Sequence, residues 1–313
     1  MKKDVVPEAI CLLGPTASGK TSICIELARH FPIEVISIDS ALVYRHMDIG
    51  TAKPNAEELV QCPHHLINIL NPNEHYSAAK FKLEAERIVH EITLRGAIPV
   101  LSGGTMMYYK TLKTGLNKLP ERNTQIREVI DSDAKQHGWP HIHNQLRKID
   151  PETAHRLNPN DSQRIQRAME VFQITGEPMS KLLNKPDTKK GSLNTIDIAL
   201  VPESRTTLHK HINSRFKQMI NKGLIDEVIN LKKNWKLSLD MPSMRCVGYR
   251  QVWEFLDGHY DKDTLVDKGS AATRQLAKRQ LTWLRSFTID HVVDPYEPDT
   301  QSCIRQVLQT LER

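Results

Sequence analysis

The first hundred residues alternate short apolar runs with longer segments in which apolar residues recur at helical spacing. Apolar runs of this length, flanked by turn residues, are typical of strands buried inside a parallel sheet. Four are predicted to be strands, at residues 9–13, 34–39, 66–69 (the weakest) and 98–102. Before the last of them, Ser77 is placed to cap a long helix that runs to about Arg95 and ends at Gly96. The βαβα order predicts a parallel sheet with helices on both faces.

The pattern changes at about residue 117. From there to residue 191 the chain is polar and helical in pattern, with few β-branched runs. One of its helices is predicted to end at Gly176 and to bury a single apolar face, formed by Ile165, Ala168, Met169 and Phe172. A strand at residues 195–201 and further helices follow. We therefore predict an α/β core and a helical insertion domain, with the core at residues 1–116 and 192–313 and the insertion at residues 117–191.

Residues 14–21 match the phosphate-binding loop G-x-x-x-x-G-K-[ST] and lie between a predicted strand and a predicted helix. The loop comprises Gly14, Pro15, Thr16, Ala17, Ser18, Gly19, Lys20 and Thr21. In such loops backbone N–H groups cradle phosphate oxygens, the lysine adds a positive charge, and the last hydroxyl can ligate Mg²⁺. We therefore predict a P-loop NTPase-like fold that binds a phosphate compound, with Thr21 as the magnesium ligand. A glycine-rich turn without a ligand is the weaker alternative, and the loop alone fits ATP as well as it fits a bare diphosphate.

The composition excludes several classes of protein. The chain has no apolar stretch near the roughly eighteen residues of a membrane span, and its polar start does not resemble a signal peptide. Its five cysteines are scattered without C-x-x-C spacing, which favours a reducing cytoplasm over a disulfide or zinc framework. The formal charge of +6 favours anionic partners. His137, His141 and His143 lie close together in sequence, but we predict solvated surface residues there and not a metal site.

Two polar residues follow directly on predicted strands. Asp39 ends the second strand, and Thr105 comes just after the strand at residues 98–102. Ligands of parallel sheets gather at the carboxyl ends of the strands, so Asp39, Thr105 and the P-loop are expected to meet in one crevice. Asp39 could act there as a general base or could orient Mg²⁺ as in an ordinary NTPase. The spacing does not separate these two roles.

A second candidate site lies near the C-terminus. Residues 270–287 have the pattern of a helix that carries Arg274, Lys278 and Arg285 on one face and contains no acidic residue. The opposite face is predicted to be apolar, with Ala272, Leu276, Trp283, Leu284 and Phe287. Just upstream, residues 245–250 place two arginines and a tyrosine around a glycine. A stripe of one charge sign is either a solvated surface or a phosphate-backbone contact, and the combination favours nucleic-acid binding.

Taken together, these segments resemble bacterial tRNA dimethylallyltransferases. The motifs that carry the resemblance occur in the family's order, at residues 14–21, 39–42, 47–54, 103–105 and 245–250. The resemblance extends over essentially the whole chain, including the predicted insertion and the run from Gln275 to Gln280. The combination is far more specific than the P-loop alone.

The resemblance implies a reaction. The family transfers a dimethylallyl group from dimethylallyl diphosphate to N6 of the adenine just 3′ of the anticodon, in tRNAs that read codons beginning with U. Residues 14–21 would then hold the diphosphate, with Mg²⁺ at Thr21, and Asp39 would accept the N6 proton. Arg215 would help to stabilise the leaving diphosphate, and Thr105 would lie near the base. Without the resemblance, Arg215 has the pattern of a surface arginine on a helix.

The resemblance also implies where tRNA binds. The insertion would grip the anticodon stem-loop, with Arg127 as a weaker contact. Together with the two basic residues of the C-terminal helix, the expected contacts are Asp39, Ser40, Ala41, Leu42, Thr105, Arg127, Gln163, Arg164, Ile165, Gln166, Arg167, Arg245, Cys246, Val247, Gly248, Tyr249, Arg250, Arg274 and Lys278. We expect a cytoplasmic enzyme that acts as a monomer and has no membrane partner.

Three other functions fit part of the pattern. A small-molecule kinase would use the P-loop, the magnesium hydroxyl and Asp39, but it leaves the basic helix and the insertion unexplained. A nucleic-acid-stimulated ATPase fits the basic helix, yet it needs a water-positioning group and a trans arginine that the sequence does not offer. An adenylate prenyltransferase acting on free AMP would not need the insertion.

Overall fold

The computed structural model describes residues 7–115, 119–184 and 193–309. Contacts along the chain divide it into two units. The first unit comprises Met1–Lys113 and Ser192–Arg313, and the second comprises Thr114–Gly191. Each unit contains its own cluster of buried apolar side chains.

The first unit is built on a parallel sheet. The strands are β1 (Ala9–Leu13), β2 (Ile33–Ile38), β3 (His64–His65), β4 (Ile98–Gly103), β5 (Thr195–Leu200) and β6 (His291–Val293). They are ordered β3-β2-β4-β1-β5-β6, and every pairing is parallel. The sheet and its flanking helices confirm the predicted P-loop NTPase-like α/β fold class.

Helices flank this sheet within the first unit, and a separate group of helices forms the second unit. In chain order they are α1 (Lys20–Ala28), α2 (Ala56–Gln61), α3 (Ala78–Leu94), α4 (Met106–Thr114), α5 (Thr124–His137), α6 (Trp139–Ile149), α7 (Pro151–Arg156), α8 (Ser162–Thr175), α9 (Met179–Leu183), α10 (Arg205–Asn221), α11 (Leu224–Asn234), α12 (Tyr249–Leu256), α13 (Lys262–Leu284) and α14 (Thr300–Gln309). Within the described residues, none of these helices combines the length and the apolarity that crossing a bilayer requires.

β1 is buried on both faces because helices cover both sides of the sheet. Successive side chains of a strand point to opposite faces, so alternate residues enter different cores. Ile10 and Leu12 pack in one core with residues of α1, whereas Cys11 and Leu13 pack in another with residues of α3. The uninterrupted apolar run that predicted the strand is therefore the consequence of two-sided burial.

The second and third predicted strands differ from the structure in ways that concern the site or the sheet. β2 ends at Ile38, so Asp39 lies just beyond the strand. The weak strand expected at residues 66–69 is not formed, and the third strand is β3 instead. Leu66 and Asn68 have φ angles of 60° and 55°, values that a strand does not allow.

A third core cluster in the first unit lies under the segment that follows β2. Tyr44 and Met47 of that segment pack in it with Leu224 and Val228 of α11 and with Tyr249 at the start of α12. The segment after Asp39 is therefore attached to the helical part of this unit by buried apolar contacts.

The C-terminal helix is longer than predicted. α13 begins at Lys262, where the Asp261 side chain accepts a hydrogen bond from the Thr264 N–H at 2.8 Å. Its buried face is also displaced from the predicted one and includes Gln280, which is 8% exposed. Of the five residues expected to be buried, Leu284 is buried, and four are half-buried: Ala272, Leu276, Trp283 and Phe287. The buried face was predicted from apolar residues alone, so the prediction did not include the buried Gln280 and placed the face wrongly.

In the second unit the regular elements of the described residues are α5 to α9. Their core contains Ile130, Ile142, Leu146, Ile165 and Met169 among others. α8 begins after Asp161, whose carboxylate accepts the Arg164 N–H at 3.3 Å, and it ends at Gly176 with φ of 70°. The predicted helix end at Gly176 is thus the left-handed C-cap that glycine favours.

Candidate active site at the carboxyl ends of the strands

The loop between β1 and α1 has the backbone of a phosphate-binding loop. Ala17 and Gly19 have positive φ angles of 67° and 77°, which turn the chain sharply before α1. The Ser18 hydroxyl donates to the Pro15 carbonyl at 2.8 Å inside the loop. A Cβ on Gly14 would lie 2.7 Å from the Ser18 oxygen and 3.1 Å from the Leu200 Cβ, so this position requires glycine. The N-terminus of α1 faces the same loop and favours an anion there.

Lys20 is held close to the loop. Its Nζ donates to the carbonyls of Gly14 and Pro15 at 3.0 and 2.7 Å. Burial and, to a smaller extent, the positive charge of Arg215 lower the pKa of Lys20; the negative charge of Asp39 acts in the opposite direction, and the resulting pKa is about 8. A buried cation beside another cation is a site where a bound anion is strongly favoured.

The residues that follow β2 and β4 meet through Ser40, the neighbour of Asp39, and Thr105. The Ser40 N–H donates to the Thr105 Oγ1 at 3.0 Å, and the Thr105 hydroxyl donates to the Ser40 Oγ at 3.3 Å. The Asp39 Oδ1 accepts the Ala41 N–H at 2.8 Å, which fixes the carboxylate just past the strand. These contacts are possible because β2 and β4 approach closely: a Cβ on Gly103 would lie 2.1 Å from the Ile38 carbonyl oxygen.

Arg215 enters this region from α10. Burial lowers the pKa of its guanidinium, and the negative charge of Asp39 acts in the opposite direction. Its charge also acts on Lys20. One electrostatic group is therefore formed by two cations, Lys20 of α1 and Arg215 of α10, and by the carboxylate of Asp39 just after β2. The sequence pattern alone had placed Arg215 on a solvated surface; the structure half-buries it in this group.

Gln280 of α13 is a site residue that sequence reasoning missed. Its Oε1 accepts the Thr16 N–H at 2.9 Å, and its Nε2 donates to the Gly104 carbonyl at 2.9 Å. It therefore joins the P-loop to the end of β4. A Cβ on Gly104 would lie 2.2 Å from Gln280 Nε2, so the glycine preceding Thr105 makes room for this side chain.

A second support of the P-loop was also missed. The Tyr296 hydroxyl donates to the Ala17 carbonyl at 3.1 Å. The Tyr296 ring stacks on the His211 ring with centroids 4.6 Å apart. Neither residue lies in a recognisable motif, so the sequence offered no signal for either.

The segment at residues 245–250 divides into buried and exposed side chains. Arg245 and Arg250 are exposed, whereas Tyr249 is 0% exposed and packs in the third core cluster. Cys246 is half-buried, and burial raises the pKa of its thiol to about 12. Gly248, the residue just before α12, has a φ angle of 94°, a conformation that favours glycine. The Tyr249 ring has no surface on which a nucleotide base could stack.

The basic face of α13 is only partly exposed to solvent. Lys278 and Arg285 are exposed, but Arg274 is half-buried, and its Nη1 donates to the Asn213 Oδ1 of α10 at 2.7 Å. Arg274 thus contributes to the packing of α13 against α10 as well as to the surface charge.

In the second unit, several predicted contact residues surround a buried carboxylate. Glu170 is 0% exposed, and its two oxygens accept Nε and Nη2 of Arg127 at 2.9 Å each and Nη1 of Arg167 at 2.6 Å. Although burial raises the pKa of Glu170, the bonds from Arg127 and Arg167 outweigh it and lower the pKa to about 2. The Gln166 side chain bonds to Asp131 at 2.6 Å, and Ile165 is in the core. Ile165 therefore has no exposed surface, whereas Gln166 is half-buried.

The remaining predicted contacts of this unit, Gln163 and Arg164, are exposed on α8. The histidines differ from one another. His143 is buried and lies 3.0 Å from the Ala154 carbonyl, so its prediction as a surface residue was wrong. His137 and His141 are exposed beside Asp133, and His137 pairs with its carboxylate at 2.7 Å.

Comparison with known proteins identifies the family. The family model described as "IPP transferase" matches residues 42–287, and one described as "Isopentenyl transferase" matches residues 7–68. A tRNA dimethylallyltransferase of Paraburkholderia xenovorans (strain LB400) is 53% identical over 304 residues, covering 96% of each chain. The chain belongs to the tRNA dimethylallyltransferase family.

Solved structures of tRNA dimethylallyltransferases and isopentenyltransferases share the fold. The full-length tRNA isopentenylpyrophosphate transferase of Bacillus halodurans superposes with a TM-score of 0.69 at 34% identity, covering 97% of this chain and 96% of that one. A eukaryotic dimethylallyltransferase acting on tRNA gives a TM-score of 0.76 at 26% identity, covering 96% of this chain and 77% of that one. The resemblance seen in the sequence is confirmed, and the chain is a prenyltransferase of this family.

In this member of the tRNA dimethylallyltransferase family, one edge of the sheet carries the P-loop, Asp39, Thr105 and Arg215. The roles expected of the individual residues stay predictions. Arg215 is the one that only the family resemblance had singled out.

Proposed function

We propose that this protein transfers the dimethylallyl group of dimethylallyl diphosphate to N6 of the adenine just 3′ of the anticodon, in tRNAs that read codons beginning with U. The N6–C1 bond forms as the C1–O bond to the diphosphate breaks. The N6 proton passes to the Asp39 carboxylate, and diphosphate leaves. The observation that carries the proposal is the electrostatic group of Lys20, Arg215 and Asp39 at the mouth of a phosphate-binding loop.

The diphosphate is bound by residues 14–21, with Lys20 and Arg215 at its oxygens. Departure of diphosphate builds negative charge, and preorganised cations and backbone N–H groups stabilise charge that develops in a transition state. In the protein alone, Lys20 donates to two loop carbonyls. A diphosphate oxygen is a stronger acceptor than a carbonyl, so binding turns the ammonium group toward the ligand.

Mg²⁺ is the metal that fits this site. The Thr21 hydroxyl on the first turn of α1 and the Asp39 carboxylate after β2 are hard oxygen donors, the type Mg²⁺ selects. Thr21 would hold the ion. When bound, Mg²⁺ neutralises part of the charge on the leaving diphosphate.

Asp39 is the general base. The adenine amine is a weak nucleophile because its lone pair is delocalised into the ring, so removal of its proton as the bond forms lowers the barrier. The Ala41 N–H and the Ser40–Thr105 contact hold this end of β2 in place, which supports a fixed carboxylate. Thr105 lies beside the same end and is placed to contact the base, which must leave its stack to react.

The tRNA is bound through exposed side chains of both units. In the first unit these are Arg245, Arg250 and Lys278, aided by Arg274; in the second they are Gln163 and Arg164 on α8. Three other members of the predicted set act differently. Tyr249 and Ile165, which are buried, and the half-buried Arg127, which pairs with Glu170, each maintain the shape of their own unit. Because the substrate is tRNA, we expect the enzyme to act in the cytoplasm, and as a monomer that sedimentation analysis would identify.

The test is a paired turnover assay with Mg²⁺ and unmodified tRNA. One arm contains labelled dimethylallyl diphosphate and the other contains labelled ATP. Label in the tRNA with ATP untouched supports the proposal. ATP consumption without prenyl incorporation would instead support the kinase or ATPase function, which the P-loop and Asp39 fit equally well.

A further inference from the structure

Glu227 on the first turn of α11 binds two separate parts of the first unit. Its carboxylate accepts the successive N–H groups of Asp48, Ile49 and Gly50 at 2.9, 2.8 and 3.2 Å. It also accepts the Tyr249 hydroxyl at 2.5 Å. Four donors converging on one carboxylate are a charge-assisted set, in which each bond is stronger than one between neutral groups.

The Tyr249 side of this contact is rigid. Tyr249 is the first residue of α12, and its ring is 0% exposed. The ring packs against Gly50 so closely that a Cβ there would lie 2.5 Å from Tyr249 Cε2. Burial and the charge of Glu227 both raise the pKa of Tyr249, so the phenol keeps the proton that it donates.

The other side belongs to the segment that starts with Asp39. Its far end is fixed by Lys53, whose side chain is 3% exposed. Lys53 Nζ donates to the Tyr44 carbonyl, to Asp48 Oδ1 and to Asn68 Oδ1, each at 2.6 Å. Glu227 and Lys53 thus hold the loop at residues 48–53 from opposite ends, Glu227 from outside the loop and Lys53 from within it.

We propose that Glu227 is a positioning residue that couples the Asp39–Lys53 segment to residues 245–250. The inference rests on the proposed function, in which the first segment carries the base and the second contacts tRNA. Glu227 touches neither substrate. It sets the distance between the residue that takes the proton and the surface that holds the tRNA. The diphosphate loop is supported by other residues, namely Gln280 and Tyr296, and does not depend on it.

The informative variant is Glu227→Gln. The amide has the size of the carboxylate, but its NH₂ group faces backbone N–H or phenol donors, so at least one bond becomes a contact between two donors. The matched control is Asp226→Asn, because Asp226 is the adjacent residue, is exposed and carries the same charge. Tyr249→Phe removes one of the four donors and leaves the other three.

The kinetic experiment uses the full-length protein well below the melting temperature of each variant. We expect Glu227→Gln to raise the KM for tRNA and lower kcat, each by about tenfold, the effect of losing one charge-assisted bond. The KM for dimethylallyl diphosphate should stay within twofold, Asp226→Asn should match the wild type, and Tyr249→Phe should show a smaller change in the same direction. Tyr249→Phe carries the test if Glu227→Gln does not fold. Unchanged tRNA KM and kcat in a folded variant would overturn the inference.

Hydrogen exchange of the ligand-free protein tests the coupling independently of the reaction. Glu227→Gln should accelerate amide exchange both at residues 48–50 and at residues 245–251, and Asp226→Asn should accelerate neither. Faster exchange in only one of the two segments would show that Glu227 does not couple them. If the wild type fails to prenylate tRNA while both segments still respond together, the proposed function fails and the coupling stands.

Discussion

The side chain of Gln280 accepts the backbone N–H of Thr16 at 2.9 Å, across 264 residues of sequence. The same side chain donates to the Gly104 carbonyl. The helix α13 is therefore bonded directly to the P-loop and to the strand end that carries Thr105, so the orientation of the phosphate-binding loop depends on a helix with a basic surface.

Replacing Gln280 by Met should impair use of the diphosphate donor. Methionine fills the space but leaves the Thr16 N–H and the Gly104 carbonyl unpaired, at a cost of about 1–3 kcal/mol. We expect the KM for dimethylallyl diphosphate to rise about tenfold with little change in the affinity for tRNA. Gln275→Met, at an exposed position of the same helix, is the control. A donor KM equal to that of the control would show that the bond to the P-loop is dispensable.

The lowered pKa of Lys20 predicts how donor binding depends on pH. Lys20 is protonated in the free protein below about pH 8 and loses its charge as the pH rises through that value. The KM for dimethylallyl diphosphate should therefore rise above pH 8, by at most about tenfold per pH unit. In Lys20→Arg the side chain stays charged, so this rise should disappear.

Lys20→Ala should weaken binding of dimethylallyl diphosphate far more than binding of tRNA. Equal losses in both would contradict the role of Lys20 as a ligand of the diphosphate.

Asp39→Asn should abolish transfer while leaving most of the tRNA affinity. Loss of a general base typically costs about 10²–10⁴ in rate. We expect single-turnover transfer to fall by at least the lower figure, with the dissociation constant for tRNA within a few fold of the wild type. Glu57→Gln, an exposed carboxylate on α2, should behave as the wild type. An Asp39 variant with near-normal turnover would exclude its role as the base.

The basic face of α13 predicts the salt dependence of tRNA binding. Lys278 is exposed, so Lys278→Ala should remove one phosphate contact and reduce the slope of log K against log salt by about 0.7–0.9. Adding Arg274→Ala should reduce it further, although that arginine also bonds to Asn213. Lys262→Ala, at the start of the same helix, is the comparison. If the slope does not change in the double variant, the face is merely solvated.

Glu170 should be central to the stability of the second unit. Removing its charge leaves Arg127 and Arg167 without their buried partner, so Glu170→Gln should lower the free energy of unfolding of this unit by about 3–5 kcal/mol in urea titrations. The native pKa is about 2, below the ordinary value of 4.5. The stabilisation is therefore complete above pH 4.5 and is lost as the pH falls toward 2. Glu128→Gln, exposed on α5, should leave both measurements unchanged.

The sequence was sufficient for the parts of the fold that local patterns encode. β1 and β4 were found because two-sided burial produces an uninterrupted apolar run, and the P-loop, Asp39 and Thr105 were expected together because parallel strands end at one edge. The predicted strand at residues 66–69 was wrong because a hydrophobic pattern does not reveal the positive φ angles of Leu66 and Asn68.

Buried polar contacts between distant residues could not be predicted. Glu227, Gln280 and Glu170 each occur on a helix, where a polar residue usually marks the solvent face. Each bonds to a partner far away in sequence: Glu170 and Gln280 are buried with theirs, and the half-buried Glu227 bonds to the backbone at residues 48–50. The local sequence pattern did not predict Arg215 as a site residue for the same reason, and only the family resemblance distinguished it from a surface arginine.

Identification of the modified nucleoside tests whether this protein prenylates tRNA at N6 of the adenine. Unmodified tRNA reading a codon that begins with U is incubated with the protein, Mg²⁺ and dimethylallyl diphosphate, then digested and analysed by mass spectrometry. We expect N6-dimethylallyladenosine at the position just 3′ of the anticodon, absent when Asp39→Asn replaces the wild type. An unmodified adenine at that position, with the diphosphate donor intact, would contradict this expectation.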